Sequence, residues 1–84
     1  MACKVERLVE GGRLALFHIC GYLRERHLNL IEEMMAKEVD PIAFDLAEIT
    51  LVDSEAVKFL AVCAAKGIAM RNCPAFVREW MNKL

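Results

Sequence analysis

Along this chain the spacing of apolar residues switches repeatedly between a period of two and a period near 3.6, with only short turn segments between the switches. Few folds accommodate such a pattern. Short apolar strands alternating with amphipathic helices pack as a mostly parallel sheet with helices laid on it, because each element must bury its apolar side against another layer. Lys4 to Glu10 alternates loosely, and Gly11-Gly12 follows as the dipeptide that two-residue hairpin turns favour. Arg13 to Cys20 is the second run, with Leu14, Leu16, His18 and Cys20 on one face and Ala15, Phe17 and Ile19 on the other. Both faces are largely apolar, so the run reads as a central strand, with Gly21 as its end.

The period then changes. Arg24 to Glu38 carries Leu28, Ile31 and Met35 on one stripe and Glu25, Arg26, Glu32, Glu33 and Lys37 on the other side, an amphipathic helix that Asp40-Pro41 breaks. Ile42 to Leu46 is a short strand interrupted by Asp45, read as a cap for the neighbouring loop, and Ile49 to Val52 is a second apolar stretch beyond Ala47 and Glu48. Asp53-Ser54-Glu55 is a helix-start signature, an oxygen-bearing cap followed by an acid over the positive end of the helix dipole. The helix it opens runs to about Lys66, with Gly67 as its stop. Ile68 to Met70 suffices only for a strand, and Pro74 precedes a last helix with Val77, Trp80, Met81 and Leu84 on one stripe. The predicted order is β-β-α-β-α-β-α: an α/β fold, a mixed, mostly parallel sheet opened by one antiparallel hairpin, in a single domain over residues 1–84.

At 84 residues a chain buries a modest share of its surface, and a content of 57% hydrophobic residues leaves apolar surface over for a neighbour. Eleven basic against twelve acidic residues give a net charge of -1, which offers no basic field for nucleic acid or anionic membrane. The apolar run Leu14 to Leu23 is too short to span a bilayer and has no cleavage pattern behind it. Cys3, Cys20, Cys63 and Cys73 stand singly, without C-x-x-C or zinc spacing, which points to free thiols in a reducing cytoplasm and to no metal. His18 reads as a satisfied strand histidine, and His27 has no partner at ligand spacing. No nucleophile–base–orienter set and no phosphate-cradling glycine loop occurs, so neither catalytic residues nor a cofactor are expected.

At 100° per residue, Ala56, Val57, Leu60 and Ala64 face the sheet, while Glu55, Lys58, Val62 and Lys66 lie opposite with Phe59 and Cys63 on the flank. Apolar Phe59, Val62 and Cys63 therefore sit where the helix turns toward water, either under another element or at a protein interface.

The segment Phe44-Asp45-Leu46-Ala47-Glu48-Ile49-Thr50-Leu51-Val52-Asp53-Ser54 resembles the central signature of STAS domains, the sulphate transporter and anti-sigma-factor antagonist family, and the flanking element order matches over nearly the whole chain. The resemblance implies a non-catalytic regulatory module that binds a protein partner. Ser54, directly after the aspartate, stands where the antagonists are phosphorylated, and the docking surface implied comprises Asp53, Ser54, Glu55, Lys58, Phe59 and Val62. The partner implied is an anti-sigma factor or switch kinase. A structural accessory subunit, such as one serving the ATPase of a lipid-transporting system, or a homodimer without a phosphoswitch, is the alternative. The chain departs from the family directly after Ser54: Glu55 and Ala56 replace the usual small residue and glycine, and Glu55 sets a carboxylate beside the hydroxyl.

Overall fold

Strand β2 (Leu14–Leu23) organises the sheet because it is bonded along both edges. On one side it pairs antiparallel with β1 (Cys3–Glu10); on the other it pairs in parallel first with β3 (Ile42–Asp45), through Ala15 to His18, and then with β4 (Ile49–Val52), through Gly21 to Leu23. A short β5 (Ala69–Arg71) adds in parallel to β3. Helices α1 (Glu25–Ala36), α2 (Ser54–Ala65) and α3 (Ala75–Asn82) make the crossovers and the C-terminal cover. The computed structural model describes residues 2–84. The α/β class and the element order are as the periodicity predicts, the third strand run being realised as β3 and β4 end to end.

Alternation along β2 separates two environments. Ala15, Phe17, Ile19 and Leu23 join Ile31 of α1, Val57 and Leu60 of α2 and Val77 of α3 in one buried cluster, so all three helices lie on one face of the sheet. Leu16 and Ala43 are buried but outside that cluster, on the opposite face, which no helix covers. Phe17 and Phe44, directly opposite in the β2–β3 register, stack at 5.9 Å, and Phe59 of α2 continues the stack at 6.3 Å from Phe44. On the uncovered face Arg71 of β5 reaches Glu10 of β1 at 2.9 Å.

Two turns follow their local chemistry. Gly11 and Gly12 both take positive φ, 61° and 70°, and the Arg13 N–H donates to the Glu10 carbonyl, but the register pairs Glu10 with Leu14, so Arg13 belongs to the loop and not to the strand the sequence assigns it. Asp45 caps the β3–β4 connection as the sequence suggests: one carboxylate oxygen accepts from the Ala47 N–H at 3.1 Å and from the Asn72 side-chain amide at 3.2 Å. The Ala47 N–H chiefly, against burial and with help from Asn72, holds the Asp45 carboxyl below its ordinary range.

Gly21 does not end β2. It sits at φ 88°, its N–H donates to the Glu48 carbonyl at 3.0 Å, and the register with β4 shifts between Gly21 and Tyr22. A Cβ at this position would lie 2.1 Å from the Ala2 carbonyl oxygen. Glycine here lets the strand turn from β3 to β4 without breaking, where sequence reading alone takes a glycine as a stop. The last helix differs in part from expectation: Val77 is fully buried and Met81 half-buried, whereas Trp80 keeps 37% and Leu84 of the same stripe 61% of its surface exposed.

Gly21→Ala is expected to lower unfolding stability by about 2 kcal/mol or more, from left-handed strain plus displacement of the Ala2 backbone. Gly12→Ala, at positive φ with open space around it, is expected to cost only about 1 kcal/mol. Urea unfolding of the two variants checks the difference; equal costs would remove the role assigned to the Gly21 bulge.

Candidate functional site

The corner between β4 and α2 is built around one carboxylate. Asp53 is the N-cap of α2 and accepts the Ala56 N–H on Oδ1 at 2.9 Å, satisfying one of the free donors of the first turn. Its Oδ2 accepts the Glu25 N–H at 2.9 Å, a free donor of the first turn of α1. A single side chain therefore closes two helix N-termini, and both helix dipoles present their positive ends to it. The Asp53 N–H donates in turn to the Leu23 carbonyl at 3.2 Å, locking the corner to the end of β2. Nothing in the spacing of Asp53 and Glu25 announces this second bond, since it arises from the parallel placement of β2 and β4.

A second cap completes the corner. The Arg24 N–H donates to Nδ1 of His27 at 3.0 Å, while the His27 N–H donates to the Arg24 carbonyl at 2.9 Å. The accepting Nδ1 fixes a neutral imidazole with its proton on Nε2. Burial, then Arg26 and Arg24, push the His27 pKa below its ordinary value, against an opposing pull from Asp53. The Arg24 guanidinium lies 4.1 Å from the centre of the Tyr22 ring.

Ser54 is the first residue of α2 and is exposed. Among the described residues its hydroxyl has no hydrogen-bond partner. Lys58 and Val62 follow at i+4 and i+8 on the same line of the helix, both exposed, Val62 to 52%. Glu55 leans along the helix to pair with Lys58 at 3.4 Å. The other apolar flank residues are covered. Cys63 is 3% exposed and Phe59 is half-buried against Phe44. Of the residues singled out in the sequence, Ser54, Glu55, Lys58 and Val62 thus share the accessible side of α2, Asp53 is engaged at its end, and Phe59 packs into the domain.

Phe59, Val62 and Cys63 line a cleft of about 330 Å³ between α1 and α2, closed on the far side by Met35 and Ile42 and rimmed by Glu32 and Lys66. Met35 belongs to the α1 apolar stripe, so its part in a cleft cannot be told from core packing by periodicity. Burial is the leading cause that pushes the pKa of all four thiols up, which keeps them protonated at neutral pH. Cys20 lies 3.7 Å from Nε2 of His18 on the uncovered sheet face. Among the described residues no group of three or more His, Cys, Asp or Glu is arranged to hold a metal ion, and no helix is long and apolar enough to cross a membrane.

Neither a protein-family model nor a curated protein matches the chain.

Asp53→Ala is expected to lose two caps at once and to lower stability by about 2 kcal/mol, at roughly 1 kcal/mol per cap, whereas Ser54→Ala is expected to change it by less than about 0.5 kcal/mol; chemical denaturation compares them. The depressed pKa of His27 gives a pH signature of defined sign. Its contribution is complete above the unfolded-state value of about 6.5 and is lost as pH falls through that value toward the lower folded-state one. His27→Gln keeps an acceptor at the third helical position and is expected to flatten this part of the stability–pH curve; an unchanged curve would remove His27 as its source.

Proposed function

We propose that this chain is a regulatory module of the STAS kind that works in the cytoplasm by binding a protein partner and not by catalysis. The observation that carries the reading is the exposed line Ser54–Lys58–Val62, which begins at the first residue of α2 and runs beside the cleft. A hydroxyl at a helix N-terminus is a place where a phosphate is tolerated by the domain, because free N–H groups and the helix dipole favour negative charge there. On the accessible side of α2 such a phosphate would add close to two negative charges to a surface that otherwise presents Lys58 and an apolar Val62. A partner of the anti-sigma-factor or switch-kinase type, docking across this line, would be gained or lost with that charge.

The two hydrogen bonds of Asp53 favour a second reading, an accessory STAS subunit with no switch. Both carboxylate oxygens are spent on backbone donors, so Asp53 serves the corner and leaves recognition to its neighbours. In that reading Ser54 is only the first residue of a helix, and the partner is the ATPase of a larger assembly.

Phe59 is a poor site for testing either reading, because its ring belongs to the Phe17–Phe44–Phe59 stack and a charge there would unfold the domain. Val62→Glu is the informative change. It is expected to abolish partner capture from the native cell while leaving stability within about 0.5 kcal/mol of the parent. Mass spectrometry of the captured protein reads Ser54 at the same time. Phosphate on Ser54 with a kinase or sigma-regulating partner supports the switch, and an ATPase with unmodified Ser54 supports the accessory subunit. A specific partner retained in full by Val62→Glu would overturn docking through α2.

A further inference from the structure

The outer edge of β1 is the longest unpaired hydrogen-bonding edge of the sheet. β1 bonds only to β2, through 8 residues in unbroken register, whereas the opposite edge strand, β5, has 3 residues. Edges are ordinarily blunted by shortness, bulges, proline, charged side chains or a covering element. β1 has no bulge, no proline and no glycine, and carries instead the charges Lys4, Glu6, Arg7 and Glu10.

Those charges are self-complementary in one register. When two copies of β1 run antiparallel about a two-fold axis at Arg7, Lys4 stands opposite Glu10 of the second copy and Val5 opposite its Val9. Moving the axis to Glu6 puts two glutamates face to face, moving it to Leu8 sets Glu6 against Glu10 twice, and moving it to Val5 leaves only residues 3–7 paired. The favourable register also sorts by face. By the β1–β2 pairing, Val5 and Val9 lie on the helix-bearing side, with Ile19 and Ala15, and Lys4 and Glu10 on the uncovered side, with Cys20 and Leu14. Val9 is 52% exposed in the isolated chain, and a valine opposite it covers that surface. The like pair on the axis carries little cost, because each Arg7 guanidinium is held by its own Glu38, whose side chain is 7% exposed. The pairs Lys4–Glu6 and Glu10–Arg71 within one chain are solvent-exposed and too weak to prevent exchange.

We propose that the protein self-associates through β1, edge to edge about a two-fold axis at Arg7, joining two five-stranded sheets into one. This interface uses no residue of α2 and leaves the Ser54–Lys58–Val62 line free.

Leu8 makes the proposal testable at an exposed position. The register places it opposite Glu6 of the second copy, so Leu8→Lys adds two cross-strand ion pairs per dimer and Leu8→Glu adds two repulsions. Sedimentation velocity of the full chain is expected to show a monomer–dimer equilibrium. Leu8→Lys is expected to tighten it about tenfold and Leu8→Glu to loosen it by a similar factor, and amide exchange in β1 of the parent is expected to slow as concentration rises. A chain that stays monomeric to about 1 mM would overturn the proposal. So would a dimer weakened equally by both variants, which is the behaviour of an apolar patch around Leu8, or a dimer in which β1 amides exchange at a concentration-independent rate.

Discussion

β2 carries a ladder on each edge, and everything else is placed by what it pairs with. Its antiparallel neighbour is continuous, but its parallel neighbour changes halfway, from β3 to β4, and the chain between those strands must turn aside and return. The change is possible because Gly21 takes φ 88° and gives its N–H to Glu48 while Tyr22 bonds to the Ala2 carbonyl. Both partners of the second half of β2, the start of β1 and the whole of β4, meet at that residue. A side chain there would displace backbone, not a movable side-chain tip, so the bulge couples the N-terminus of the sheet to the corner from which α2 departs.

That corner owes its rigidity to a concentration of polar bonds over an apolar stack. Asp53 joins two helix starts and the end of β2, and the reciprocal Arg24–His27 bonds close the first turn of α1. Beneath, Phe17, Phe44 and Phe59 run as one column from the central strand into α2. The helix is therefore fixed at its end by hydrogen bonds and along one flank by an aromatic contact. What remains exposed on its outer side is a row of single side chains, suitable for recognition without rearrangement of the backbone.

Periodicity made most of this architecture legible. The alternation in β2, the stripe of α1, the Asp-Ser-Glu start of α2 and the positive-φ demand at Gly11-Gly12 are each local, and each led to the element observed. The misreadings are non-local. Gly21 looks like a stop because a bulge needs the knowledge that two strands share one neighbour. For Phe59 and Cys63 the sequence leaves cover by another element and a protein interface both open, because a helical wheel has no information on what lies against that flank; the fold covers Cys63 and half-buries Phe59. Trp80 shares a stripe with the fully buried Val77, yet it keeps 37% of its surface exposed, because the stripe of α3 is wider than the contact the helix makes with the rest of the domain. At the candidate site, Ser54, Lys58 and Val62 could be placed on one side of α2 from spacing alone, but the double engagement of Asp53 belongs to the fold.

The distribution of polar satisfaction also separates the residues that hold the domain from those free to act on something else. Asp45, Asp53 and His27 are committed to backbone N–H donors within the chain, and Glu38, whose side chain is 7% exposed, to the Arg7 guanidinium, so removing any of them leaves a donor without its partner. Ser54, Lys58, Lys4 and Glu6 are exposed, and the pairs they make are surface pairs of small energy. They fall on two elements, the outer side of α2 and the edge strand β1, which the helix layer and the sheet present separately. The two surfaces are separate, and apart from Arg7 with its bond to Glu38 their exposed charged side chains make only surface pairs.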